Sequence, residues 1–314
     1  MRVLDRQLAW MLGGVLVLLV LATLVGLVLR AKTRGGPGAA TVANLNARTR
    51  SWWVMSAVFS LTLLAGRAGS MILFAGLSFL ALREFVTLTP TRRADHRALF
   101  WAFFVITPLQ YVFVGLGRYG LFTVFIPVYA FLFLPTRMAL AGDTERFLER
   151  AAKTQWGLMV AVYCVSYAPA LLTLDVPGFA RGGPKLLLFL TLVDQMSDVL
   201  QYVFGKLFGR RKIAPHVSPN KTWEGFVGGV STSVLLGTGL WWATPFTPLQ
   251  AAGMSLAITL MGFAGGLVMS AIKRDRGVKD YGALIEGHGG ILDRIDSVCF
   301  AAPVFFHLTR FWFT

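Results

Sequence analysis

At 314 residues the chain has the length of two ordinary soluble domains. However, 55% hydrophobic residues, only 14% charged residues and a mean hydropathy of +0.64 exclude that class and place it among integral membrane proteins. The formal net charge of +15 arises from basic residues lying between apolar runs, without the interleaved basic and aromatic residues of a soluble nucleic-acid module. The expected partners are therefore a lipid bilayer and an anionic substrate, with no nucleic acid.

A helix needs about 20 apolar residues to cross a bilayer, and shorter runs serve when neighbours shield them. The chain offers about ten such runs: Leu8 to Leu29, Trp52 to Leu64, Ser70 to Leu82, Leu99 to Leu116, Tyr119 to Leu134, Trp156 to Leu172, Leu186 to Phe204, Trp223 to Trp242, Ala251 to Met269, and Ile295 to Phe313. The first is too long for a signal-peptide core and runs into Arg30, Lys32 and Arg34 without a small-residue cleavage pattern, so it reads as a retained span. Thr33 to Thr41, with Gly35, Gly36, Pro37 and Gly38, reads as a flexible linker. Leu134 to Gln155 mixes Asp143, Glu145 and Glu149 with basic residues and reads as a surface helix with a solvated face. Cys164 and Cys299 lie inside apolar runs without metal-ligand spacing, as small buried hydrophobes do. The expected fold class is all-α, a polytopic integral membrane protein of about ten transmembrane helices. Residues 1–185 would form N-terminal transmembrane helices and residues 186–314 a C-terminal catalytic transmembrane region with motif loops.

Alternate loops hold 23 of the 30 Lys and Arg residues, the asymmetry that fixes orientation in a membrane. With the basic side cytoplasmic, both termini fall on the far side.

The seventh run contains Asp194 and Asp198, four residues apart and so on one helix face with Gln201 and Tyr202. Acids inside a span are costly and usually mark a site or a pathway. After it come Gly205, Lys206 and the basic cluster Arg210, Arg211 and Lys212, for which anchoring to anionic headgroups is an equal reading. Ser218 followed by Pro219 reads as an N-cap with proline at the first helical position, and Lys221 and Thr222 would then stand at an anion-binding helix start. The stretch from Ser270 to Asp296 is a charged island. Lys273, Arg274, Arg276 and Lys279 supply cationic donors, Asp280, Asp293 and Asp296 hard oxygen ligands, and His288, Gly289 and Gly290 backbone amides. These are the parts of a site for phosphate and a divalent metal.

The order Ser270-x-x-Lys273-Arg274, four residues, Lys279-Asp280, then His288-Gly289-Gly290-x-x-Asp293-Arg294-x-Asp296 resembles the signature of the phosphatidate cytidylyltransferases, the CDP-diacylglycerol synthases. Asp198-x-x-Gln201-Tyr202 and Ser218-Pro-Asn-Lys221-Thr222-Trp-Glu224-Gly225 extend the resemblance over residues 186–300. Three positions depart: Gln201 stands for the usual Ala, Gly266 for a metal-site Asp, and Glu286 for Pro, Gly or Ser.

The resemblance implies transfer of a cytidylyl group from CTP to phosphatidate, or another lipid phosphate, giving CDP-diacylglycerol and pyrophosphate with Mg²⁺ as cofactor. It assigns Asp198 and Asp293 to the metal, with Asp194 as the spare carboxylate that Gly266 calls for. Lys279, Asp280, His288, Arg294 and Asp296 become catalytic, and His288 orients or contacts phosphate. Lys206, Ser218, Lys221, Thr222, Ser270, Lys273, Arg274, Gly289 and Gly290 become substrate-binding. The implied setting is a bacterial inner membrane or its equivalent, with the site facing the cytoplasm and a homodimer as an expected assembly. Two other readings stay open: a CTP-dependent lipid kinase, and a non-catalytic lipid-binding or transport relative.

Overall fold

The computed structural model describes residues 5–33, 36, 38–285 and 289–314. Its helices are α1 (Arg6–Lys32), α2 (Ala39–Leu64), α3 (Gly66–Thr87), α4 (Arg93–Gly115), α5 (Tyr119–Ala139), α6 (Phe147–Thr173) and α7 (Gly183–Phe208). A short hairpin of β1 (Lys212–Ala214) and β2 (Ser218–Thr222) follows. Then come α8 (Trp223–Gly239), α9 (Pro248–Asp275), the single turn α10 (Leu292–Ile295) and α11 (Val298–Phe313). Seven of these, α1, α3 to α7 and α9, are long and apolar enough to cross a membrane. The three others that match expected spans are α2, α8 of 17 residues and α11 of 16. The chain is a multi-pass integral membrane protein, all-α apart from the hairpin.

Several boundaries differ from expectation for local reasons. The run Trp52 to Leu64 is the second half of a 26-residue helix that starts at Ala39, so residues 39–41 are helical and the connector after α1 is shorter than the linker read from its glycines. α2 turns back along α1: the Trp53 indole N–H donates to Thr23 Oγ1 at 3.0 Å, and Asn46 reaches the Gly26 carbonyl at 3.4 Å. Ser70 to Leu82 is the middle of the 22-residue α3. The segment before and into α6 is anchored, not merely solvated. Arg150 is 6% exposed, and its guanidinium donates to Asp95 Oδ1 at 2.8 Å and to the Asp143 carbonyl at 2.6 Å, while Arg92 pairs with Asp143 and Glu145. A buried cation is tolerable only with such partners.

The expected N-cap at Ser218 is a correction. Ser218–Thr222 is extended and pairs antiparallel with Lys212–Ala214, Lys212 opposite Thr222 and Ala214 opposite Ser218. The cap is Thr222, four residues later, whose hydroxyl accepts the Gly225 N–H at 3.1 Å. Ser-Pro fits an edge strand as well as a helix start, because proline needs no ladder partner there.

One apolar core runs through both halves of the chain. Phe306 of α11 packs edge-on against Phe122 of α5 and Tyr167 of α6, with ring centroids 5.9 and 5.2 Å apart. Cys164 and Cys299 are free thiols, Cys299 buried as expected and Cys164 only half-buried. The C-terminal helices that carry the charged motifs are therefore held against the N-terminal bundle.

Candidate active site

The site gathers residues of α7, β2, α8, α9 and the α10–α11 junction, with Gly262 and Gly265 of α9 packed against Asp194, Ser297 and Asp296. α7 and α8 approach closely because glycines face each other. A Cβ added at Gly225 would lie 2.7 Å from the Gln201 carbonyl oxygen, and one at Gly229 would lie 2.5 Å from the Gln201 nitrogen. Such small-residue contacts are how helices associate without a hydrophobic driving force. Glu224 ties the hairpin to α8 by accepting the backbone N–H of Arg210 at 2.9 Å and that of Arg211 at 3.2 Å. Lys221, carried at the end of β2, lies inward with its ammonium 4.4 Å above the Phe263 ring.

The carboxylates from α7 and from the α10–α11 junction converge on Ser297, which is 1% exposed. Its hydroxyl donates to Asp194 Oδ2 at 2.7 Å, and its N–H donates to Asp296 Oδ1 at 2.9 Å. Asp194, likewise 1% exposed, takes a second bond to Oδ2 from Gln195 at 3.0 Å, while its Oδ1 is buried without a partner. Gly262 makes room for that oxygen, since a Cβ there would come within 2.4 Å of it. Asp198 and Asp296 are half-buried. The charges of Lys221 and Arg294 act on both, and Lys273 also acts on Asp296. The Nε of Arg294 is buried with no partner.

Asp293, 5% exposed, accepts three protein donors: Lys273 Nζ at 2.8 Å on Oδ1, and the N–H groups of Tyr281 at 2.7 Å and Gly290 at 3.0 Å on Oδ2. The Gly290 amide is thus engaged, not open as the sequence had led us to expect. Lys273 also lies 5.4 Å from the centre of the Tyr281 ring, and the Tyr281 hydroxyl donates to the Met269 carbonyl at 3.0 Å. Gly289 takes a left-handed φ of +82° and sits against Asp280 and Asp293, where a side chain would collide.

The remaining expected residues divide into two groups. Arg274 braces the loop against the hairpin, donating to the carbonyls of Val217 at 3.3 Å and Val278 at 3.0 Å. Ser270 bonds back to the Gly266 carbonyl at 2.7 Å, and Ser218 lies in β2. Lys279 and Asp280 are exposed at the mouth of the loop, whereas Lys206 lies on the outer face of α7, 5.8 Å from the ring of the exposed Tyr202. His288 lies outside the described residues, as does Glu286. The sequence did not single out Glu84, Tyr281 or Ser297. Glu84, at the end of α3, accepts the N–H groups of Ile291 at 2.9 Å and Leu292 at 2.8 Å across 207 and 208 residues. The only sequence signal for it is an acid at the end of an apolar helix.

Among the described residues no three His, Cys, Asp or Glu side chains form a ready ligand group. Mg²⁺ does not require one, since it commonly takes one or two carboxylates and completes its shell with substrate phosphates and water. Asp198 and Asp296 fit that role, being neighbours in charge and less engaged than Asp293. Arg294, half-buried with its Nε lacking a partner, fits an anion.

Residues 46–312 match the model of the cytidylyltransferase family. The chain is 42% identical over 306 residues to the uncharacterized protein YnbB of Escherichia coli, covering 96% of this chain and 97% of that one. It is 31% identical over 258 residues to the phosphatidate cytidylyltransferase of Bacillus subtilis, covering 80% of this chain and 92% of the relative. A phosphatidate cytidylyltransferase of Mycobacterium leprae is 36% identical over 174 residues, covering 54% and 53% of the two chains.

Proposed function

The chain belongs to the cytidylyltransferase family and is a multi-pass membrane nucleotidyltransferase, and from that premise we propose that it transfers the cytidylyl group of CTP to phosphatidate. The products are CDP-diacylglycerol and pyrophosphate. The observation that supports this reading is the grouping of Asp198 and Asp296 with Lys221, Lys273 and Arg294, whose Nε is buried without a partner. Carboxylates for a cation and cations for phosphates stand within one field there.

In the reaction an oxygen of the lipid phosphate attacks the α-phosphorus of CTP. The bond from that phosphorus to the bridging oxygen breaks, and pyrophosphate leaves with the electron pair. The attacking phosphate is already ionised, so no side chain has to remove a proton. Asp198 and Asp296 would hold Mg²⁺, which when bound neutralises charge developing on the leaving group. Lys221 and Arg294 face the phosphates as fixed positive charges that need no reorganisation as the reaction proceeds. Lys273, through its bond to Asp293, helps hold the acceptor of the Tyr281 and Gly290 N–H groups in place beside them. The site faces the cytoplasm, where nucleoside triphosphate is available and where basic loops are retained.

The test is incubation of the purified full-length protein with labelled CTP, Mg²⁺ and phosphatidate in mixed micelles. The expected result is label in a CDP-lipid with release of one pyrophosphate per transfer. Label appearing instead as phosphate on diacylglycerol would establish a CTP-dependent kinase. CTP binding without transfer to any lipid phosphate would establish a non-catalytic relative.

A further inference from the structure

Glu84 belongs to the N-terminal bundle, yet its carboxylate ends inside the charged segment of the other half. Each oxygen takes one backbone N–H, Oε1 from Ile291 and Oε2 from Leu292, at 2.9 and 2.8 Å. Two glycines make the space. A Cβ at Gly290 would stand 2.4 Å from Oε2, and one at Gly282 would stand 2.8 Å from Oε1. The neighbouring Gly290 N–H and Tyr281 N–H go to Asp293. Two carboxylates from distant parts of the chain thus divide four amides of one loop, and they fix where Asp293, Arg294 and Asp296 emerge.

We infer that Glu84 is a positioning residue for the site: seated between Gly282 and Gly290, it sets the path of residues 290–296 and so the placement of Arg294 and Asp296. This rests on the reading that those side chains serve nucleotide transfer. A hydrogen bond from an amide to a carboxylate is stronger than one to a neutral oxygen, and an acceptor that leaves two buried amides behind is costly to remove. Groups that orient a reacting shell from one layer out typically change activity or metal affinity by about 10- to 100-fold when lost.

The test uses the full-length protein with Glu84→Gln, Glu84→Ala, Gly290→Ala and the double variant Glu84→Ala/Gly290→Ala. Amide hydrogen exchange of peptides spanning 281–296 is measured beside kcat and KM for CTP and the Mg²⁺ concentration for half-maximal rate. Glu84→Gln is expected to speed exchange in that segment while peptides of α4 and α5 keep their wild-type rates. It is also expected to lower kcat/KM, or raise the Mg²⁺ requirement, by about tenfold or more. Gly290→Ala should be far less harmful in the Glu84→Ala background, where the colliding carboxylate is gone, than alone. Unchanged exchange in 281–296, kinetic constants within twofold of wild type, or simple additivity of the two alanine variants would each overturn the inference. If the wild-type protein transfers no cytidylyl group, the functional reading fails on that control. Exchange and the melting temperatures of the Gly290 pair then decide the role of Glu84 alone.

Discussion

Asp293 spends both carboxylate oxygens on architecture. Its bond to Lys273 joins the end of α9 to the start of α10, and it accepts the Tyr281 and Gly290 N–H groups. Asp293→Asn leaves the Lys273 ammonium, 9% exposed, without its counter-charge and turns one acceptor into a donor. The expected outcome is loss of stability of about 3–5 kcal/mol, read as a lower melting temperature in detergent, together with at least about a 10²-fold loss of transfer. Normal melting with lost activity would instead identify Asp293 as a ligand alone. Asp194 and Asp198 share a helix face but not an environment. Asp194 spends one oxygen on Ser297 and Gln195 and buries the other against Gly262, whereas Asp198 is half-buried and subject to the charges of Lys221 and Arg294. Asp198→Asn should therefore cost about 10² or more in rate, and Asp194→Asn about tenfold through a misplaced Ser297. Equal losses, with rescue of Asp194→Asn by Gly266→Asp, would show that Asp194 supplies the carboxylate absent at position 266. Gly266 is a tolerant place for that change, because its added Cβ would meet only the flexible Lys221 ammonium, at 3.2 Å.

At the scale of elements, the α7–α8 pair determines how the acids of α7 face Lys221 at the start of α8. The contact is made by backbone against backbone at Gly225 and Gly229. Gly229→Ala should push the helices apart, costing about 1–3 kcal/mol and much of the activity, whereas Gly239→Ala, with nothing within 4 Å of its added carbon, should match wild type in melting and rate. Equal behaviour of the two would mean that the pair has slack. These elements also show what a sequence makes readable. Apolar runs such as Leu186 to Phe204 appeared as helices because a bilayer allows little else, and Asp194 and Asp198 stood out as charges inside one. The hairpin was missed because Ser-Pro-Asn-Lys-Thr fits a helix start and an edge strand equally well locally, and only the antiparallel partner Lys212–Ala214 decides between them. Glu84 was missed for the same reason on a longer scale, since its partners lie more than 200 residues away. The motif residues were legible as a set. Their division into those that face the cluster, such as Lys221, and those that do not, such as Lys206, depended on which way each helix end points.

The whole molecule places its two kinds of end differently. At one end the start of α7 is tied to residues around α1, with the Lys185 ammonium donating to Asp5 at 2.8 Å and to Gln7 at 2.6 Å, while Gln7 also reaches the Trp242 carbonyl after α8 at 2.6 Å. Toward the opposite end lie the terminus of α7, the start of α8, the terminus of α9 and the start of α10, which carry the cations of the site, while Asp194 and Asp198 lie within α7. That arrangement requires the loop at Lys212 and the loop at Lys279 to share one side of the membrane, with Arg181 on the other. The side expected from charge is the cytoplasm: residues 206–221 and 273–294 alone hold ten of the 30 Lys and Arg residues, and moving them across a bilayer is opposed during insertion. Single cysteines at the exposed positions Lys212, Lys279 and Arg181 test this directly, in a background where the half-buried Cys164 is replaced by serine and the fully buried Cys299 is left. A membrane-impermeant maleimide applied to intact cells should modify Arg181→Cys alone, and all three should react after the membrane is opened. Lys212→Cys and Lys279→Cys reacting from opposite sides would separate Lys221 from Asp293 by a bilayer and dissolve the site. Both reacting from outside would keep the site intact but turn it away from CTP, so the transferase reading would fail while the fold stood.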